Sequence, residues 1–342
     1  MWSAGDLKRW NDYKDFLISR YGFPVYRIGV DGGFSCPNRA PDRSGGCVYC
    51  DALGASASYA RTKESGFTRR SGFESVPPQS GSACTGSDIE SRIAGIKVQI
   101  ERGRDFVRRR YCSDKVSLYF QAYTNTFASV EDLRRIYSES LQMGPFVELI
   151  VSTRPDCLGS EVISILRELR TNVQDLWIEL GLQSGSDRIL SLMNRGHSSA
   201  CWLDASRRAA EAGLDVCSHV ILGFPSETEQ ELDATIDLIN RSPVKALKIH
   251  NLHITAQSRL LEDYFDGEIT AASEARHLEN TEYVLRRIRP DIVIERLMCE
   301  TPSHRLAAPR CFPDKSLFLA DLRRKMENDG AFQGDLCRKQ SI

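Results

Sequence analysis

Short apolar runs rich in β-branched residues recur at Tyr26–Val30, Val116–Tyr123, Val147–Ser152, Leu176–Leu182, Val216–Leu222 and Ala246–Leu252. Between the later runs, apolar positions return every three to four residues over Val130–Met143, Ser160–Arg170, Asp187–Asn194, Ala200–Ala212 and Glu227–Asn240. The runs predict strands, and the longer period predicts helices packed by one face. Gly213 and Asp215 punctuate a helix end and a strand start, and Ser226 with Glu229 three residues on predicts an N-cap. Strands and helices that alternate over short links predict parallel strands joined by right-handed crossovers. Six such units predict an α/β fold, a partial (β/α)6 barrel rather than a closed eight-stranded one.

The flanks carry further elements. Leu7–Tyr21 reads as an amphipathic helix, which makes 1–25 an N-terminal helical segment and 26–255 the barrel core. Residues 54–87 are rich in Ser, Gly, Ala and Arg, contain Pro77-Pro78 and lack periodicity, and are expected to be a mobile insertion. A helix is expected from near Asp88 to about Arg110. A C-terminal α/β extension, 256–330, is predicted to hold helices over Ser258–Phe265, Ser273–Ile288 and Lys315–Asn328, and a strand over Ile292–Leu297. The tail, 331–342, is expected to fray.

Composition narrows the class. A chain of 342 residues can bury a barrel-sized core, and 41% hydrophobic with 27% charged residues is ordinary for a soluble protein. No run approaches the roughly 18 apolar residues of a membrane span, so no membrane partner is expected. The first residues lack a secretory hydrophobic region. The count of 11 cysteines is odd and high, which suits a reducing cytoplasm, with clustered thiols free for metal, better than a disulfide framework. Those outside the cluster read mostly as small apolar core residues. The net charge of −1 gives no overall attraction to nucleic acid.

One spacing carries chemistry. Phe34-Ser35-Cys36-Pro37-Asn38-Arg39 is followed, after ten residues, by Cys47-Val48-Tyr49-Cys50. Two residues between cysteines let both thiolates reach one centre, and Gly45-Gly46 gives the backbone freedom to bring Cys36 alongside. Structural zinc wants four protein ligands, and no fourth Cys or His stands at a matching distance. Three thiolates suit a four-iron cluster with one iron open to an outside ligand, with zinc as the competing reading. The loop follows the first predicted strand, so it belongs at the C-terminal mouth of the barrel, where such folds carry their chemistry.

Cys36-x10-Cys47-x2-Cys50, with an aromatic residue before the last cysteine, resembles the cluster loop of radical S-adenosylmethionine (SAM) enzymes. Its long first gap is similar to that of the elongator-type catalytic subunit and of bacterial YhcC-like proteins. Further strings resemble the YhcC-like pattern: Asp31-Gly32-Gly33-Phe34-Ser35-Cys36-Pro37-Asn38-Arg39, Tyr119-Phe120-Gln121-Ala122-Tyr123-Thr124-Asn125-Thr126, Ser152-Thr153-Arg154-Pro155-Asp156, Glu179-Leu180-Gly181-Leu182-Gln183-Ser184 and His219-Val220-Ile221-Leu222-Gly223-Phe224-Pro225. The resemblance runs from about residue 7 to 325 and fades over 54–87.

The resemblance implies a [4Fe–4S] cluster on Cys36, Cys47 and Cys50 whose unique iron chelates SAM, and reductive cleavage of SAM to a 5′-deoxyadenosyl radical. It implies that Tyr49 offers its backbone carbonyl to the adenine and that Gln121 to Asn125 edge the SAM amino group. Ser152 and Gln183 stand at the third- and fourth-strand positions, Gln183 toward the ribose. Arg195 matches a partner of the SAM carboxylate, which a guanidinium meets bidentately, against the plainer reading of a solvated helix-end arginine. Gly223 belongs to a turn that shapes the pocket or simply turns the chain. His219 stands where the superfamily is often acidic, and its role stays open. His250 and His253 stand at the sixth strand, within reach of a substrate or structural only. A reducing electron donor of flavodoxin or ferredoxin type is implied as well.

The substrate is not written in these residues. Arg102-Gly103-Arg104-Asp105-Phe106-Val107-Arg108-Arg109-Arg110-Tyr111 could meet RNA phosphates and stack on bases, or form a solvated basic helix face. RNA, a small metabolite and a peptide all stand as substrate classes. A non-catalytic iron–sulfur or zinc binding module stands as the reading from a different class.

Overall fold

The computed structural model describes residues 8–40, 45–50, 86–310, 312 and 314–338. All but the last two residues of the insertion expected at 54–87 lie outside them. Seven parallel strands form one sheet in the order β1 (Tyr26–Val30), β2 (Val116–Phe120), β3 (Glu148–Thr153), β4 (Asp175–Gln183), β5 (Asp215–Leu222), β6 (Ala246–Asn251) and β8 (Val293–Arg296). The expected strands are all present, with boundaries moved by at most three residues. The strand of the C-terminal extension, β8, pairs with β6 and adds a seventh member to the six-unit sheet. Between β6 and β8, β7 (Ile254–Thr255) pairs antiparallel with β9 (Leu306–Ala308) beyond the barrel strands.

Helices cover one face of the curled sheet: α2 (Gly86–Tyr111), α3 (Val130–Leu141), α4 (Ser160–Leu169), α5 (Asp187–Leu192), α6 (Ser199–Glu211) and α7 (Glu229–Asn240). After β7 come α8 (Leu260–Phe265), α9 (Glu274–Arg287) and α10 (Lys315–Asn328). The strand period of two decides the packing. Ile28, Leu118, Val151, Ile178, Val216 and Leu247 point outward into the helical core. Their neighbours point into the lumen. There Tyr119, Ile150, Trp177, Cys217, Ala246 and Val293 form a lower apolar layer, against which Tyr13 and Phe16 of α1 (Tyr13–Tyr21) close the floor.

Three local expectations are corrected. Helix α1 begins at Tyr13, not Leu7, because Asn11 and Asp12 run extended: the Asn11 carbonyl accepts the Ile294 N–H at 2.7 Å, and Asp12 caps α1 through the Lys14 N–H. This segment covers the open edge of β8. The cap of α7 is Thr228, not Ser226. A capping box joins Thr228 to Glu231, while Ser226 takes a left-handed turn at φ 60°. The tail is packed as far as Cys337 rather than frayed. Ala331 is buried, and Gln333 donates to the Arg289 and Ile292 carbonyls and accepts from the Asn11 N–H.

Candidate functional site

The loop from β1 to Cys36 is held from two sides. Gln99 of α2 accepts the Asp31 N–H and donates back to the Asp31 carbonyl, at 2.8 and 3.0 Å. Arg92, two turns earlier on the same helix face, donates to the Gly32 carbonyl and covers the Phe34 ring. The Ser35 carbonyl accepts the Thr124 N–H from the loop after β2. A bridge between Arg39 and Gly45 then folds the chain back, with Gly45 and Gly46 at φ 74° and 84°, and returns it to Cys47 on the same face as Cys36. The Cys47 carbonyl accepts the Cys50 N–H, closing a turn around the last two thiols.

The segment after α5 locks this loop in place. Asn38 donates to the Asn194 carbonyl at 2.6 Å, and Asn194 donates to the Gly46 carbonyl at 2.8 Å. The Val48 N–H reaches the Met193 carbonyl. Arg195 follows directly and is buried. Its Nη1 lies 3.6 Å from the Cys47 Sγ, and its Nη2 donates to the Gly181 carbonyl at 3.0 Å. A side chain on Gly181 would press within 2.6 Å of both Arg195 and Gln183, so glycine alone lets these two lie over β4. Burial opposes ionisation of Cys47, but the Arg195 charge holds its pKa below the usual thiol value. Burial pushes Cys50 up despite Arg39.

The three thiols are free. Among the described residues, no three of His, Cys, Asp or Glu come together to hold a metal ion. A four-iron cube does not require them to, since it spreads its thiolates over separate irons. Three thiols on one loop are a donor set that fits such a cluster.

The remaining expected positions divide. Gln121 begins the loop after β2, its N–H on the Val30 carbonyl. Gln183 ends β4 at φ 74°, part of a bulge that turns it over the mouth. Tyr49 packs its ring on Phe224, 5.7 Å between centroids, in an apolar patch with Met193 and Leu252. Gly223 donates its N–H to Glu227 at 2.7 Å, and burial raises that carboxyl to about 7 against this bond. Asn125 is fully buried and ties β2 to β3 by donating to the Phe120 and Ser152 carbonyls, while its Oδ1 has no partner. The Ser152 hydroxyl points down, donating to Glu179 at 2.8 Å.

The sequence reading missed the layer to which Ser152 belongs. Glu179 lies at the centre of the lumen and receives Tyr119, Ser152, His219, Arg27 and Lys248. Arg27 and Lys248 also pair with Glu295 of β8, at 2.7 and 3.2 Å. The Arg27–Glu295 contact bridges the two edge strands of the sheet. Burial disfavours the Glu179 charge, but Lys248, His219 and Arg27 hold it well below the usual carboxylate range. One signal was available: Arg27, Glu179, Lys248 and Glu295 are charges inside apolar strands, all at the inward phase. Above this layer His219 and His250 face each other at 5.5 Å, and burial lowers both pKa values, leaving neutral rings. His253 is set apart, bonded to Asn251 and Thr301 beside Cys299.

The basic run on α2 is largely engaged. Arg104 donates to the Pro145 carbonyl, Arg108 pairs with Asp114, and Arg110 reaches the Tyr111 hydroxyl. Among the described residues, no helix is long and apolar enough to cross a membrane.

Comparison with known proteins adds an independent line. The Radical SAM superfamily description matches residues 84–239, and the Radical_SAM C-terminal domain description matches residues 244–328. Uncharacterized protein YtqA of Bacillus subtilis is 28% identical over 328 residues, covering 96% of this chain and 92% of its own. Protein YhcC of Escherichia coli K12 is 30% identical over 315 residues, covering 92% and 91%. Among solved structures, the archaeal Methanocaldococcus infernus Elp3 with an N-terminal deletion shares the fold at a TM-score of 0.61 and 20% identity, over 70% of this chain and 60% of that one.

Proposed function

From the premise that this chain belongs to the radical SAM superfamily, whose members are enzymes that bind a [4Fe–4S] cluster and SAM, we propose that Cys36, Cys47 and Cys50 hold the cluster and that the lumen beneath it receives the substrate. The observation that carries this reading is a single loop presenting three free thiols at the C-terminal mouth of the sheet, with buried Arg195 beside them. Bound there, such a cluster would supply the one electron that splits SAM into methionine and the 5′-deoxyadenosyl radical. The chain's own residues bind, orient and exclude water.

Gln121, Gln183, Arg195, Tyr49 and the turn at Gly223 frame the SAM pocket. Asn125 and Ser152 support it from beneath, one tying two strands together and the other anchored on Glu179. The barrel core is 26–255, and the extension 256–330 completes its wall. His219 and His250, neutral and facing each other, offer the substrate one hydrogen-bonding surface. A lumen with charges balanced among themselves favours an uncharged polar group as the part of the substrate that enters. That group belongs to a small metabolite or a peptide more readily than to an RNA, since most of the basic run on α2 is occupied. The free thiols suit a reducing cytoplasm and a flavodoxin- or ferredoxin-like electron donor.

Anaerobic reconstitution tests the proposal. The expected result is iron and sulfide in equal amounts, an electron-spin signal of the reduced cluster that shifts on adding SAM, and release of 5′-deoxyadenosine. All three are lost when Cys36, Cys47 and Cys50 are changed to alanine. Zinc bound by the intact thiols, with no response to SAM, would instead support the non-catalytic reading.

A further inference from the structure

Two buried guanidiniums lie behind the cysteine loop, and only one has a role by resemblance. Arg154, just after β3, is 3% exposed. Its Nε and Nη2 donate to the two carboxylate oxygens of Asp156, both at 2.9 Å, while its Nη1 is buried with no partner among the described residues. Gly196 spaces it from the loop: a side chain there would lie 3.2 Å from the Arg154 Nη2 and 2.8 Å from the Asn38 Oδ1. Asn38 in turn sits 3.6 Å from the Cys47 Sγ. Arg154 is thus one side chain removed from a proposed cluster ligand.

Among the described residues the charges do not balance. Arg154 and Arg195 bring two positive charges, and Asp156 is the one described carboxylate paired with either, itself 30% exposed in its side chain. Arg195 rests on a thiol and a carbonyl, and its Nε is buried and unpartnered. A buried, uncompensated cation is costly unless something anionic is meant to sit beside it. Three thiolates around a four-iron cube carry net negative charge, and reduction adds one more.

We propose that Arg154 is a positioning residue for electron transfer, whose buried charge raises the reduction potential of a cluster held by Cys36, Cys47 and Cys50, with Asp156 as its counterweight. The inference rests on the cluster reading given above. The step is one electron passed from a flavodoxin- or ferredoxin-like donor to the cluster, with no bond made or broken. A nearby positive charge stabilises the reduced form more than the oxidised one, by simple Coulomb attraction. The competing reading is that Arg154 and Asp156 only pin the short turn at Pro155–Cys157.

The sign of the shift separates the two. Reconstituted wild-type protein, Arg154→Met, Arg154→Lys and Asp156→Asn are titrated with reductant while the electron-spin signal is followed. Arg154→Met should make the cluster about tenfold harder to reduce, about 59 mV for one electron. Asp156→Asn should move the potential the other way, by less because water screens that carboxylate, and Arg154→Lys should keep most of the wild-type value. Loosening of the turn would shift Arg154→Met and Asp156→Asn in the same direction, and that result, or no shift in either, overturns the inference. If Arg154→Met fails to assemble a cluster, a rise in Asp156→Asn alone supports it and the lack of one refutes it. Wild-type protein that assembles no cluster overturns the cluster reading and this inference together, whereas a cluster with unmoved potentials overturns this inference alone.

Discussion

Replacing Lys248 by methionine tests whether the lumen layer is a balanced charge network or an incidental cluster of polar residues. Lys248 is fully buried on β6, hydrogen-bonded to Glu179 and 3.2 Å from Glu295. Methionine nearly conserves its volume, so no sizeable cavity complicates the comparison. At 3.2 Å and an effective dielectric constant of ~20, the attraction to Glu295 alone is about 5 kcal/mol. Desolvation of the ammonium offsets much of that gain, and the cost of leaving buried carboxylates short of a partner is about 3–5 kcal/mol. Arg27 would then face both Glu179 and Glu295. Lys248→Met with Glu295→Gln restores one charge against one, and stability should recover to within about 1 kcal/mol of wild type. Urea unfolding followed by circular dichroism reads both, with the slope unchanged between variants. A single variant that loses less than about 1 kcal/mol, or a double variant no better than the single, would refute charge balance as the organising feature.

Other outcomes follow from neighbouring features. The Glu227 carboxyl titrates near 7 in the fold, against an ordinary value of 4.5, because burial favours its neutral form. The fold therefore holds this proton more tightly than the unfolded chain does, and the group's stabilisation is complete below about pH 4.5 and lost as pH rises through 7. Glu227→Gln should be level with wild type at pH 4 and ahead by about 3 kcal/mol at pH 8, and an equal difference at both values counts against the assignment. Deleting the chain from Gly330 removes the three side-chain hydrogen bonds of Gln333 and on their account should cost about 3 kcal/mol at ~1 kcal/mol each; an unmoved urea midpoint would mean that the tail contributes nothing. Arg102→Glu with Arg109→Glu should leave retention of bulk RNA on a filter unchanged, and a marked, salt-sensitive loss would revive RNA as the substrate.

The fold was legible where the pattern had one period. The runs at Tyr26–Val30 and Ala246–Leu252 became strands because their outward residues fill the helical core and their inward residues need not be apolar. The same rule hid the lumen chemistry. Lys248 and Glu179 were given no role, although their shared phase already put them on one face. Asn11–Asp12 was taken into a helix because its pairing with Ile294, far along the chain, has no local signature. The N-cap moved from Ser226 to Thr228 because both have an acidic residue three positions on, and only the left-handed backbone of Ser226 in the turn decides between them. The tail was misjudged for the opposite reason, since a single buried glutamine among small residues does more than its composition suggests.

At the site, the spacing of Cys36, Cys47 and Cys50 was informative because ligand geometry is local. The clamps Asn38 and Asn194 were not legible, since each finds its partner across more than a hundred residues. Arg154 was quoted within a motif but given no role. Its relevance depends on Gly196, which brings it alongside a loop that the sequence keeps far from it.

The floor closed by Tyr13 and Phe16, together with the Arg27–Glu295 contact between the edge strands, makes the chamber a dead end. Among the described residues, that leaves the rim that also carries the thiols as the way in to His219 and His250, and as the way out. Traffic through a single doorway has an order. Whichever of cofactor and substrate sits deeper has to load first, and the spent nucleoside has to clear before the deeper occupant can leave.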